Sequence, residues 1–436
     1  MKYYSTNKQE FGVSLCDAVI KGLASDKGLF MPESIKTLPA SFYDEIENYS
    51  LQEMAFVVAN AFFGEDVAED DLKQIVFDTL NFEIPLARVS QDIYSLELFH
   101  GPTLAFKDVG ARFMSRLLGY FVKSRGLSDV NVLVATSGDT GSAVANGFLG
   151  VEGISVHVLY PKGKVSAIQE CQFTTLGKNI TAIEVDGTFD DCQRLVKTAF
   201  LDKDITQKKF LTSANSINVA RFLPQSFYYF YAYAQLRKIV GKNNLHDVVV
   251  CVPSGNFGNI TAGIFAQKMG LPVSRFIAAN NRNDIFLQYL KTGEYRPRPS
   301  VSTIANAMDV GDPSNFARIL DLYQHNHAEI CKNIAGVSYS DDEIRAGISE
   351  CFSANNYLLD PHGACGYLAL KEMLTEGETG IFLETAHPIK FKDTVEDVIR
   401  QSLEIPDKIK AFMNGKKQTV PMSKEFSDFK SYLMNV

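Results

Sequence analysis

Lys107 ends a short apolar run, Leu104–Ala105–Phe106, inside the stretch LELFHGPTLAFKDVGARF (96–113), where a helical pattern begins. An ammonium held against apolar neighbours loses hydration, and a helix N-terminus adds positive potential. Both effects favour the neutral amine. That is the form that condenses with a carbonyl to give a Schiff base. Most lysines are solvated surface charges; this placement makes Lys107 the candidate for nucleophilic chemistry.

Two glycine-rich loops offer anion sites. Ser254–Gly255–Asn256–Phe257–Gly258–Asn259 lies between the apolar run DVVVCVP (247–253) and a helical pattern from Ile260. Glycines let successive backbone N–H groups converge on an anion, and the helix start supplies more donors. The loop matches neither the Walker pattern nor GxGxxG, so it points to a single phosphate monoester rather than a nucleotide; a glycine turn without ligand is the plain alternative. Thr136–Ser137–Gly138–Asp139–Thr140–Gly141–Ser142 also follows an apolar run and opens a helix. Its hydroxyls and amides suit a carboxylate, unless Asp139 or a threonine is simply the helix cap.

Further groups lie at loop positions. In Asn215–Ser216–Ile217–Asn218–Val219–Ala220–Arg221, the serine and the arginine could converge on an anion only if Ser216 lies in the loop before the helix. Arginine brings a planar fork suited to phosphate; a capped helix with a surface arginine reads equally well. Thr385, in LETAHP (383–388), follows a strand pattern and so belongs at the carboxyl edge of a sheet, where open α/β folds bind ligands. His362 with Cys365, and His325 with His327, resemble halves of a metal site. Neither has a second pair at zinc spacing, and no metal is expected.

The elements that must carry these groups alternate. VNVLVATS, ISVHVLYP, NITAIEVDG, DVVVCVP, VSRFIAAN and TGIFLETAHP read as strands apolar throughout, separated by helices of ten or more residues. Such strands form a parallel sheet covered on both faces, an α/β architecture. Residues 1 to about 90 read as mostly helical, broken at Gly28 and Pro32, and helices close the chain. With 436 residues the chain is too long for one ordinary core. A net charge of −8 and a pI near 5.5 exclude the basic face that nucleic acid requires. No apolar run reaches membrane-spanning length, the N-terminal residues lack a signal-like apolar core, and seven scattered cysteines without CxxC suit a reduced, cytoplasmic protein.

Taken in order, the segments resemble one family. MKYYST, GLASDKGLFMPE, HGPTLAFKD, TSGDTGSA, NSINVARFLPQ, SGNFGN and LETAHPIKF are each similar to segments of the threonine synthases, in the longer bacterial and fungal form. Those enzymes belong to the fold type II pyridoxal-phosphate enzymes, with tryptophan synthase β and the serine/threonine dehydratases. The resemblance implies two three-layer α/β subdomains with mostly parallel sheets within residues 91–436, an active site in the cleft between them, and a mainly helical N-terminal domain over residues 1–90. It implies pyridoxal 5'-phosphate as cofactor and Lys107 as its Schiff-base lysine. Gly255, Asn256, Phe257, Gly258 and Asn259 would cradle the cofactor phosphate, with Thr385 beside the pyridine nitrogen and Asp139 near the phenolic oxygen.

Thr136, Ser137, Gly138 and Thr140 would grip the substrate carboxylate, and Asn215, Ser216, Asn218 and Arg221 the substrate phosphate. Many fold type II relatives have Asn where Asp139 stands; a carboxylate there repels a phenolate unless protonated, turned away or salt-bridged. The implied reaction turns O-phospho-L-homoserine and water into L-threonine and phosphate, the last step of threonine biosynthesis, in a monomer or weak homo-oligomer. The nearest rival is a dehydratase or phospho-lyase on the same scaffold, which has no need of NSINVAR as a second phosphate pocket. A pyridoxal-phosphate carrier, or a phosphate-binding module without cofactor, is the rival from another class.

Overall fold

The runs VNVLVA, ISVHVLYP and ITAIEVD lie side by side as parallel strands, Val130–Ala135, Ile154–Pro161 and Ile180–Asp186. They belong to a five-stranded parallel sheet in the order Val420–Ser423, Ile180–Asp186, Ile154–Pro161, Val130–Ala135, Phe210–Ser213. This computed structural model describes residues 1–242, 244–245 and 247–436. Ala135, Leu159 and Ile183 line up across the three central strands. They pack against Cys192, Leu195 and Ala199 of the helix Phe189–Leu201 and Phe429 and Leu433 of the helix Phe426–Asn435. Each fully buried Leu or Phe side chain here stabilises by about 1.5–3 kcal/mol.

A second sheet has six strands in the order Ile334–Ser338, Arg275–Asn280, Asp247–Pro253, Glu378–Glu384, Ile93–Glu97, Leu86–Arg88. All pairs are parallel except the last, where Leu86–Arg88 runs antiparallel to Ile93–Glu97. One face packs Val249, Cys251, Ile277 and Phe382 against Ile344, Ile348, Ala364 and Leu370 from the helices Asp341–Asn355 and Pro361–Met373. On the other face Phe276 meets the ring of Tyr229, from the helix Phe227–Val240, edge-on at 6.3 Å. The α/β class with mostly parallel sheets, expected from the apolar runs, is what the chain forms.

The described residues divide into two compact units, and both are assembled from separated segments. The five-stranded sheet belongs with Lys2–Phe30, Lys107–Arg221 and Ile405–Val436; the six-stranded sheet belongs with Met31–Phe106 and Phe222–Glu404. Residues 1–90, which the sequence suggests as one helical region, are thus shared between the two. The reason is specific contact. Val19, in the helix Leu15–Lys21, accepts hydrogen bonds through its carbonyl from Thr212 and Asn218. Phe42 instead packs edge-on against Phe230, and Phe62 packs at a tilt against Phe265. The strands Lys2–Ser5, Val13–Ser14 and Val420–Ser423 were not expected; each has only two to four residues, too few for a period to register. Among the described residues no helix is long and apolar enough to cross a membrane.

His157, in the middle of the five-stranded sheet, is 3% exposed. Its Nε2 faces Asn131 Oδ1 at 3.0 Å and its Nδ1 faces the Tyr432 hydroxyl at 2.9 Å, which suits a neutral ring. Burial pulls its pKa down to about 4. The unfolded chain therefore takes up a proton near pH 6.5 that the folded chain refuses until about pH 4. Stability is unaffected above that window and falls by roughly 3 kcal/mol as pH drops through it. Denaturant unfolding of His157→Gln should be less steeply weakened by acid between these two pH values; parallel curves for variant and parent would refute the assignment.

Candidate active site

Both sheets have a point where the strand order reverses, and the candidate loops emerge there. In the five-stranded sheet the chain moves outward from Val130–Ala135 in one direction, and Phe210–Ser213 adds on the other side. The loop Thr136–Ser142 leaves the first of these strands and Asn215–Arg221 leaves the second. In the six-stranded sheet the reversal lies between Asp247–Pro253 and Glu378–Glu384. From their carboxyl ends run Ser254–Asn259 and Thr385. Such crevices are the usual ligand sites of open α/β sheets.

Within the first unit, Lys107 is the first residue of the helix Lys107–Ser124. Its Nζ lies 3.7 Å from Asp139 Oδ2, with side chains 16% and 3% exposed. The sequence shows only the apolar flank of this lysine; the fold adds a buried carboxylate, which attracts the ammonium. Asp139 is itself held, its Oδ1 accepting from Gln169 Nε2 at 2.9 Å. Gln169 also packs beneath Gly138 (φ +143°), where an added Cβ would fall 2.5 Å from its Cδ. The glycine is required by both conformation and space.

Thr136 serves the loop itself: its Oγ1 accepts from Gly138 N at 2.9 Å and Gly141 N at 2.8 Å. This fixes the turn and leaves Ser137 and Thr140, both half-buried, at the start of the helix Asp139–Phe148. Ser216 lies in a turn ahead of the short helix Val219–Phe222, as convergence with Arg221 requires. Asn218 has a different task from the one the resemblance implies. It is fully buried; Nδ2 donates to Val19 O (2.9 Å) and Ser213 O (3.1 Å), and Oδ1 accepts from Ala220 N (3.0 Å). Its amide braces the segment. Asn215 Nδ2 similarly reaches Ala135 O at 3.2 Å.

Arg221 is 3% exposed, and burial pulls its guanidinium down to about 10, still charged at neutral pH. Nη1 donates to the carbonyl of Lys107 at 3.1 Å. The candidate phosphate ligand and the candidate nucleophile are therefore joined directly.

In the second unit, the residues leading to Lys107 are pinned to the Thr385 segment. Phe106 N donates to Thr385 O at 2.9 Å and His387 N to Leu104 O at 3.0 Å. Leu104 takes a left-handed backbone (φ +58°), as does Phe257 in the glycine loop (φ +61°). Each costs a non-glycine residue about 1–2 kcal/mol, and such strain gathers where function over-determines the backbone. Asn259 Oδ1 accepts from the hydroxyls of Tyr228 (2.6 Å) and Tyr229 (2.8 Å). Its Nδ2 is buried and has no partner among the described residues, at the start of the helix Gly258–Lys268. A buried donor left so costs about 1–3 kcal/mol until an acceptor arrives. A phosphate monoester supplies that acceptor and meets the loop's N–H groups. Pyridoxal phosphate fits these residues.

Sequence reasoning missed a buried acid pair in the same unit. Asp360 caps the helix Pro361–Met373, accepting from His362 N and Gly363 N, while Glu384 Oε1 accepts from Asp360 N at 2.6 Å. Both carboxyls are fully buried, with Glu97, Tyr357 and Cys351 as the other titratable neighbours of Glu384. Burial, then Asp360, holds Glu384 well above the ordinary carboxylate range. The folded chain keeps a proton that the unfolded chain releases near pH 4.5, so this site lowers stability as pH rises above that value. Glu384→Gln keeps the acceptor for Asp360 N without the titration. Its melting temperature should gain on the parent's as the pH rises above 4.5; an offset independent of pH would contradict the protonated state.

A family model described as pyridoxal-phosphate dependent enzyme matches residues 82–382. Models for the threonine synthase N terminus and C-terminal region match residues 2–80 and 363–433. A threonine synthase of Haemophilus influenzae is 42% identical over 437 residues, covering all of both chains. The chain belongs to the threonine synthase family. Among solved threonine synthases, the Escherichia coli crystal structure superposes with a TM-score of 0.93 at 39% identity, covering all of both chains. The pyridoxal-phosphate-bound structure from Brucella melitensis gives 0.92 at 33%, covering 100% of this chain and 99% of that one. Membership of this family makes the chain a pyridoxal-phosphate-dependent enzyme.

Proposed function

We propose that the chain is a carbon–oxygen lyase acting on phosphate, converting O-phospho-L-homoserine and water to L-threonine and phosphate. One observation carries the reading: Arg221, a phosphate-type donor, is hydrogen-bonded to the backbone of Lys107. An amine-bearing substrate whose far end is a phosphate matches that pairing.

When bound, pyridoxal phosphate supplies an electron sink for carbanion chemistry. The remaining work falls to the chain. Lys107 Nζ takes and returns protons at the substrate's α and β carbons, while Asp139, held by Gln169, keeps the amine oriented. Ser137, Thr140 and the N–H groups opening the helix Asp139–Phe148 bind the substrate carboxylate. Ser216 and Arg221 hold the substrate phosphate and stabilise charge gathering on it as it leaves. Gly255 to Asn259 secure the cofactor phosphate. The Thr385 hydroxyl would serve as the neutral partner of the pyridine nitrogen, giving a milder sink than a carboxylate and disfavouring transamination.

Purified protein loaded with cofactor and given O-phospho-L-homoserine should release phosphate and threonine in equal amounts. Phosphate accompanied by a keto acid in place of threonine would assign the chain to the phospho-lyases instead.

A further inference from the structure

Arg318 is the largest fully buried side chain among the described residues. Burial draws its guanidinium down to about 9, so it remains charged at neutral pH. Its position relative to the glycine loop is specific. Nη1 donates to Asn315 Oδ1, and Asn315 Nδ2 donates to the carbonyl of Asn256 at 3.0 Å. Beside it, Ser314 N donates to Asn256 Oδ1 at 2.7 Å. Asn256 is thereby gripped at both its backbone and side-chain oxygens. The next residue, Phe257, adopts the left-handed backbone from which the helix Gly258–Lys268 starts.

The guanidinium also lies over the Phe222 ring at 3.9 Å, and that ring packs edge-on against Phe265 of the same helix at 5.3 Å. Arg318 therefore braces the loop from Asn256 and the helix from Phe265. Turning the Asn256 carbonyl back into the protein leaves the N–H groups that follow it free to point the other way.

We propose that Arg318 is a positioning residue for the cofactor phosphate, acting through Asn315 to aim the Asn256–Asn259 loop and adding a buried positive charge behind it. This rests on the reading of that loop as the phosphate cradle. Loss of the brace should weaken the phosphate contact and leave the contacts to the pyridine ring intact.

The test compares the dissociation constants of pyridoxal phosphate and pyridoxal, which differ only by the phosphate, for the apo-protein and its variants by spectroscopic titration. Arg318→Met should lower the preference for the phosphorylated form about ten- to hundred-fold, with pyridoxal binding changed less than about threefold. Arg318→Lys, which keeps the charge, should recover part of that preference. Asn315→Ala should reproduce the loss with Arg318 in place, and it keeps the proposal testable if Arg318→Met does not fold. Equal weakening of both compounds in Arg318→Met and Asn315→Ala would mean a purely structural role and overturn the proposal. Gly258→Val separates the underlying reading: if it lowers the preference while the Arg318 and Asn315 variants do not, the cradle stands and the proposal falls. If Gly258→Val also leaves the preference unchanged, the cradle itself is elsewhere and the proposal falls with it.

Discussion

Lys107→Ala should lower turnover of O-phospho-L-homoserine by about 10²- to 10⁴-fold, the range general acid–base catalysis supplies. The loss is expected in kcat rather than in folding. The side chain is only partly buried, and the helix it begins keeps its brace, because Arg221 binds the lysine's carbonyl and not its amine. Borohydride treatment of the loaded parent protein, followed by peptide mapping, should place the reduced cofactor on residue 107. A label on any other lysine removes Lys107 from the mechanism. The mapping is the sharper test, since it identifies the amine without relying on activity.

Arg221→Ala should weaken substrate binding about ten- to hundred-fold, the cost of one charge-assisted contact to phosphate. It should also lower turnover, because the phosphate it holds is the leaving group. From the sequence alone the two anion sites look independent, so this variant would be expected to keep its cofactor untouched. The structure changes that expectation: the guanidinium donates to Lys107 O, and its backbone carbonyl lies against Gly110, where a Cβ would come within 2.4 Å. Truncation therefore also loosens the start of the lysine helix, and some loss of cofactor affinity is expected. Arg221→Lys isolates the recognition role by keeping the charge while losing the fork. Its cofactor content should match the parent while KM and the inhibition constant for inorganic phosphate both rise. Unchanged values for both would leave the substrate phosphate without its proposed ligand.

What the sequence reveals is what repeats locally. Strands such as Ile154–Pro161 and Asp247–Pro253 are buried on both faces and therefore apolar throughout, which makes them visible without a partner in view. The glycine loops are visible for the same reason, since their chemistry resides in consecutive residues. The rest depends on distant pairs. Arg221 meets Lys107 across 114 residues, and Gln169 meets Asp139 across 30. Nothing near Gln169 in the sequence distinguishes it from any other glutamine on a helix. Asn218 misled in the opposite sense: it sits within the expected segment, but its amide faces inward to Val19 and Ser213. Asp360 and Glu384 could have been suspected, because a carboxylate closing an apolar strand must either face solvent or find a partner.

The order of strands in the five-stranded sheet has a consequence for synthesis. Val420–Ser423 pairs with Ile180–Asp186, in the register Ile183 to Val420 through Asp186 to Ser423. At translation rates of about 5–20 residues per second, the ribosome takes on the order of 10–50 s to reach that partner after completing Ile180–Asp186. During that interval the nascent sheet presents an open edge, with the apolar Ile183 and Val185 beside unsatisfied peptide groups, the kind of surface that recruits strands from other chains. The other unit closes its last strand, Glu378–Glu384, before Val420 is made. Folding on the ribosome should therefore finish with the five-stranded sheet, whose edge strand is made last.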